Sequence, residues 1–134
     1  NQTPMLKGIN DDVEALKQMF ETLSNIGVPP YYMFGVRPTL GNEPYTMPIE
    51  TISEIFEKAR VQTSGLAGRA RFVMSHKTGK IEVLGTTKDK IMFRYHRAAK
   101  DEDRGKVMIY KRNPQATWFD DYTELVEEYK LRFD

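Results

Sequence analysis

Cysteine is absent from all 134 residues. That excludes disulfides and agrees with a reducing, cytoplasmic setting. Histidine occurs only at positions 76 and 96. Neither has a partner at metal-ligand spacing, so no metal site is expected from this chain alone. The formal net charge is only +1, which gives no electrostatic ground for a nucleic acid or an anionic membrane as partner. No apolar run approaches the ~20 residues of a membrane-spanning helix. Signal-peptide character, internal repeats and low-complexity tracts are all missing. There is no strand-elbow serine and no recognisable nucleophile–base pair. What remains is an ordinary water-compatible balance, 40% hydrophobic and 29% charged, in a length that suits a modest core.

The first half reads as alternating strands and helices. Thr3 to Lys7 suits a short strand closed by Gly8. Asn10 or Asp11 is placed to cap a helix, followed by Val13, Leu16, Phe20 and Leu23 at helical spacing. Gly27 and the Pro29-Pro30 pair end it. Tyr31 to Val36 reads as a second strand buried on both faces, with Tyr31, Tyr32 and Phe34 in the sheet core. A proline-rich loop runs from Arg37 to Pro48. Pro48 then opens a helix with Ile49, Ile52, Ile55, Phe56 and Ala59 on one face. This order is the βαβ pattern of a parallel sheet.

After Gly68 the pattern changes. Arg69 to Ser75, Ile81 to Leu84, Lys90 to His96 and Lys106 to Arg112 read as strands joined by hairpin connections. The charged run 100–105 reads as a solvated loop tip. A last helix is expected from about Asp120, with Tyr122, Leu125, Val126 and Tyr129 as its apolar face and Phe133 extending it.

Lys80 follows Gly79 at a tight turn. An amine at the mouth of a sheet can form a Schiff base with an aldehyde such as pyridoxal phosphate. The plainer reading is a turn glycine followed by a solvated cation. In the Thr63-Ser64-Gly65 stretch, Ser64 can offer its hydroxyl and amide to a phosphate, or be part of an ordinary helix-to-strand turn.

Five stretches, in order, carry a resemblance. They are Asn1 to Asp11, Pro30-Tyr31-Tyr32-Met33-Phe34, Leu40-Gly41 to Pro48, Thr63-Ser64-Gly65 through Phe72-Val73 to Lys80, and, more loosely, Ile91 to Tyr95. Together, over most of residues 1–112, the chain resembles the lysine 2,3-aminomutase family. These are radical S-adenosylmethionine enzymes that also use pyridoxal phosphate. The resemblance implies that Lys80 carries the cofactor covalently and that Ser64 lies near it. Where the family has a run of glycines before that lysine, this chain has His76-Lys77-Thr78-Gly79. Two aspartates hold the distal ammonium in the lysine-specific members. One corresponds here to Arg37 and the other falls at Met74 or Ser75. Arg37 opposes an ammonium and suits a carboxylate through a two-pronged fork, or else pairs with Glu43 as a loop strut.

The family holds its 4Fe–4S cluster with three cysteines, which this chain does not have. The expectation is therefore a C-terminal piece of a longer enzyme. The cluster and S-adenosylmethionine would be bound by the missing N-terminal barrel portion. The expected fold class is α/β: the terminal βα units of a partial barrel over residues 1–62, then an antiparallel extension and C-terminal helix over 63–134. The expected activity is amino migration between adjacent carbons of an amino acid other than lysine, with an acidic side chain favoured. By itself the piece is expected to be silent, and its open strand edge predicts a homo-oligomer. The competing expectation is a non-catalytic scaffold or association domain of the same descent.

Overall fold

The computed structural model describes residues 1–132 of the 134. Seven strands form one mixed sheet in sequence order, from β1 (Gln2–Pro4) through β2 (Tyr32–Phe34), β3 (Arg71–His76), β4 (Gly79–Thr86), β5 (Lys90–Ala98) and β6 (Lys106–Lys111) to β7 (Leu125–Lys130). The first three are parallel. From β3 onward every pairing is antiparallel. Helix α1 (Val13–Asn25) joins β1 to β2, and α2 (Ile49–Arg60) joins β2 to β3. This is an α/β fold whose parallel part needs long crossovers and whose antiparallel part is a meander, with tight turns between β3, β4 and β5 and a longer connection, residues 112–124, between β6 and β7.

Both helices lie on one face of the sheet. Leu16 and Phe20 of α1 and Ile49, Ile52, Phe56 and Ala59 of α2 are buried with Met33, Phe72, Met74 and Ile81 of the strands. Phe56 stands between Phe20 and Phe72, with ring centroids 6.1 and 6.2 Å away. The 3.6-residue spacing of the apolar side chains sets this face. Strand alternation then sends Tyr32, Phe34, Arg71, Val73, Ser75, Lys80 and Glu82 to the opposite face.

Several expectations need correction. Asp12, not Asn10 or Asp11, caps α1; its carboxylate accepts from the Ala15 amide at 2.9 Å. Asn10 instead folds the preceding turn, accepting from Leu6 N at 2.7 Å and donating to the Pro4 carbonyl. Tyr31 is exposed, so only part of the aromatic run is core.

The C-terminal helix does not form. Phe119–Asp121 is a single 3₁₀ turn, and residues 125–130 are strand β7, paired with β6. Leu125, Val126 and Tyr129 remain exposed, so no apolar face is buried in exchange for helicity. The strand instead gains ladder bonds to the open edge of β6 and flanking ion pairs, Lys111–Glu124 at 2.6 Å and Lys106–Glu128 at 3.4 Å. Phe133 lies outside the described residues.

The β3–β4 hairpin has a two-residue loop, Lys77-Thr78, with His76 opposite Gly79. Gly79 has φ +134°, and a Cβ built there would stand 2.1 Å from the Arg97 carbonyl oxygen of β5. Backbone cannot yield that distance locally. Gly85 shares the positive φ, +142°, but has open space around it. Gly79→Ala is therefore expected to cost at least ~2 kcal/mol more than Gly85→Ala, whose penalty is the conformational one of about 1–2 kcal/mol. Urea unfolding of the two variants measures the difference. Equal losses would show that the β4–β5 approach is loose.

Candidate functional site

The candidate site lies at the carboxyl ends of the three parallel strands. In open α/β sheets and barrels alike, this is the end at which loops gather ligands. A cavity of about 390 Å³ opens here, lined by Pro4 and Leu6 after β1, Phe34 to Arg37 at the end of β2, Asn42, Ser75 of β3 and Trp118. Gly35 lets the chain leave β2 close to the core: a Cβ there would meet Ile49 at 3.2 Å and Met74 at 3.3 Å. A wider depression of about 630 Å³ lies over the 38–46 loop. It is lined by loop residues and Thr117, with Glu43 its only ionisable group, and so offers less to a reacting group.

Lys80 is the first residue after Gly79 and pairs with Ser75 across the hairpin. Its side chain crosses to β2, where Nζ lies 4.8 Å from the Tyr32 ring centroid and 5.3 Å from that of Phe34. Among the described residues it has no carboxylate partner. Lys80 does not itself line the cavity, but Phe34 does. The amine thus rests on aromatic faces beside the Ser75–Arg37 end of the sheet.

Arg37 is exposed at the rim of the cavity. Its carbonyl accepts from Asn42 Nδ2 at 3.1 Å, which fixes the loop's entry. The expected strut to Glu43 is not among the described ion pairs. That carboxylate accepts from the Gly41 amide at 2.9 Å instead. Ser64 is not brought to this site. It precedes β3, at the amino ends of the parallel strands, and both its amide and hydroxyl donate to Glu21, at 2.7 and 3.4 Å.

Sequence reasoning missed three groups. Trp118, only 8% exposed, closes the cavity from the segment after β6. That segment is tied to the start of α2 by Ile49 N→Ala116 O at 2.8 Å and by Glu50, which accepts from Arg112 Nε at 2.8 Å and Asn113 N at 2.9 Å. Glu82, nearly buried, is held by Arg71 at 3.1 Å and Arg94 at 2.7 Å. His96 Nε2 is hydrogen-bonded to the Tyr32 hydroxyl at 2.8 Å, with Tyr31 Oη a further 3.4 Å away. Burial pushes the Tyr32 phenol up to about 12, helped by its bond to Tyr31. Burial, then the Arg71 guanidinium, holds His96 below the ordinary imidazole value, while Glu82 pulls the other way. The alternation of Arg94 and His96 on one strand placed both on one face, but nothing local linked His96 to Tyr32, 64 residues earlier.

No family model matches this sequence. Over 130 residues it is 65% identical to a protein of Aquifex aeolicus named "Putative L-lysine 2,3-aminomutase", covering 97% of this chain and 35% of that one. The chain belongs to the lysine 2,3-aminomutase family. It is 39% identical over 67 residues, half of the chain, to the L-lysine 2,3-aminomutase of Fusobacterium nucleatum, of which that covers 16%. Over 79 residues it is 33% identical to the glutamate 2,3-aminomutase of Clostridioides difficile, covering 59% of this family member and 19% of the relative. The chain therefore spans about a third, or less, of the length of these relatives. Among the described residues no helix is long and apolar enough to cross a membrane.

The depressed His96 value makes a pH prediction. The folded state binds this proton less readily than the unfolded chain, whose histidine titrates near ~6.5. The stability from neutral His96 is present above that pH and is lost as pH falls below it toward the folded value. Urea midpoints at pH 7.5 and 5.5 should differ less in His96→Gln than in the parent. An undiminished difference would assign the acid loss to another group.

Proposed function

We propose that this family member is part of a pyridoxal-phosphate-dependent radical S-adenosylmethionine aminomutase that moves an amino group between adjacent carbons of an amino acid. The observation that carries the reading is Lys80: a primary amine without a carboxylate partner among the described residues, resting on Tyr32 and Phe34 at the carboxyl ends of parallel strands. An amine in that setting suits covalent attachment of an aldehyde cofactor. When bound, pyridoxal phosphate supplies the electrophilic carbon and conjugated ring through which nitrogen migrates. The chain's own task is positioning. Gly79 fixes the start of β4, the aromatic pair holds the lysine stem, and Trp118 and Phe34 wall the cavity against water. The chain has no cysteine to ligate a 4Fe–4S cluster, so cluster and S-adenosylmethionine would be held by residues outside these 134. In the same reading β1, β2 and β3 belong to a partial barrel and Ser75 faces the substrate.

Arg37 sets the substrate class. A guanidinium at the rim, without an ion-pair partner among the described residues, gains a charge-assisted fork with a distal carboxylate and repels a distal ammonium. The substrate in this reading is an amino acid with an acidic side chain, and lysine is disfavoured. The kinship with a glutamate 2,3-aminomutase supports the same direction.

A second reading is favoured by one observation. Among the described residues the outer edge of β7 has no partner strand, and Leu125, Val126 and Tyr129 are exposed, as befits an association domain or a homo-oligomer.

Two measurements test the first reading. Incubation with pyridoxal phosphate followed by borohydride should fix a pyridoxyl group on Lys80, located by peptide mapping. Label only at other lysines would refute it and favour the association domain. In the reconstituted enzyme, Arg37→Asp should lower the kcat/KM ratio of acidic amino acid to lysine by roughly tenfold or more, the scale of a lost charge pair. An unchanged ratio would remove Arg37 from the substrate site.

A further inference from the structure

Tyr32 and His96 join strands that are not neighbours. β2 and β5 are separated by β3 and β4, yet the Tyr32 hydroxyl and His96 Nε2 meet at 2.8 Å across the face that no helix covers. The rings stand nearly perpendicular, at 76° with centroids 5.5 Å apart. Tyr32 is also packed against Tyr31 at 4.2 Å and Phe34 at 5.6 Å. Its hydroxyl end is thus held by His96 and its ring flanked by two aromatics. The Lys80 amine lies 4.8 Å from the centroid of that ring.

We propose that the Tyr32–His96 pair is a positioning device for Lys80: it fixes the ring on which the amine rests and so sets where and how readily that amine reacts. The inference rests on the reading of Lys80 as the reactive amine. Its physical content, the coupling of His96 to Lys80 through Tyr32, is separable from any cofactor. A tyrosine ring free to turn about its side-chain torsions offers a cation its face only part of the time. Tying the hydroxyl to a second strand removes that freedom, and the ammonium then meets the negative face of the ring continuously.

The charges around the pair make the coupling legible in solution. Arg71 of β3, Glu82 of β4, and Arg94 and Arg97 of β5 act on His96. Tyr32 faces it from β2, with the Tyr31 hydroxyl 3.4 Å behind that of Tyr32, and Arg104 lines the cavity of about 270 Å³ beside it. Lys80 shares the Tyr32 ring with it. Glu82 is the only carboxylate in this set, and its oxygens are engaged by Arg71 and Arg94. A proton added to His96 therefore puts one more cation into a group already rich in cations.

The test needs no cofactor. Competitive labelling with trace acetic anhydride across pH 6–11 reports the reactivity of each lysine, with exposed Lys88 as internal reference. His96→Phe and Tyr32→Phe should each change the relative reactivity of Lys80 by about two- to fivefold, the span that a cation–π contact carries. The double variant should change it no further than either single one, because the two side chains act as one unit. His96→Gln, whose amide can still bond the Tyr32 hydroxyl, should restore most of the parent profile near neutral pH. Circular dichroism establishes that each variant is folded, and Tyr32→Phe, which removes one oxygen atom, is the fallback should His96→Phe fail to fold. A Lys80 profile unchanged in the folded single variants, or single effects that simply add, would overturn the proposal. Pyridoxal phosphate trapping is then scored separately. Absence of label on Lys80 of the parent refutes the proposed function without touching the acetylation result.

Discussion

The structure turns on the hairpin between β3 and β4, where a parallel sheet becomes antiparallel. β3 takes its parallel partner β2 on one edge and its antiparallel partner β4 on the other. A two-residue turn reverses the chain at the carboxyl end of β3, the end at which parallel strands present their loops. The first side chain of the return strand on the face without helices is Lys80. It reaches that place because Gly79 lets the start of β4 lie against the backbone of β5, an approach that no side chain would survive. The turn is further pinned by His76. Its Nε2 lies 2.9 Å from Asp120, and its Nδ1 accepts from the Thr78 amide, while Tyr95 donates to the Thr78 hydroxyl. Backbone geometry and a small polar network thus decide the position of one amine.

The two faces of the sheet are stabilised differently. The helix-covered face follows hydrophobic burial, with Phe20, Phe56 and Phe72 interlocked and almost no exposure. The other face carries Arg71, Glu82, Arg94, His96 and Lys80. Such a face cannot be closed by a helix without satisfying each charge, and here the groups satisfy one another: two guanidiniums on one carboxylate, an imidazole on a phenol, an ammonium on aromatic rings. Of these groups Lys80 lies level with Ser75 at the cavity end, whereas Arg71 opens β3 at the far end of the strand.

Legibility from sequence followed the range of the forces. Both helices were legible because Leu16 and Phe20, or Ile52 and Phe56, repeat at a period that only a helix satisfies. The hairpin strands were legible from their turns. The cap at Asp12 was missed because three neighbouring polar residues compete for one position, and only the geometry of the turn after β1, set by Asn10, separates them. β7 was misread because Leu125, Val126 and Tyr129 fit a helical stripe as well as a strand, and the deciding term, the open edge of β6, is supplied by another part of the chain. Lys80, Arg37 and Ser75 were singled out as candidates by local pattern and resemblance. The Tyr32–His96 bond and the Trp118 wall were not, since each depends on residues far apart in sequence meeting over a finished sheet.

Arg37 shows how a negative result at one residue constrains another. A loop strut to Glu43 would have neutralised the guanidinium and left the cavity rim without charge preference. The Gly41 amide takes the Glu43 carboxylate, and Asn42 closes the loop on the Arg37 carbonyl rather than on its side chain. The loop is therefore ordered by backbone bonds that leave the guanidinium out of its account. Exposed cations are ordinary, but this one stands at the rim of a cavity whose other walls are Phe34, Val36 and Trp118, with Ser75 the only hydroxyl side chain among the lining residues. An apolar pocket with a single cation at its mouth discriminates by the sign of charge on what enters, because the pocket itself offers no carboxylate to offset an ammonium. The proposed preference for an acidic side chain thus rests on what surrounds Arg37 as much as on Arg37 itself.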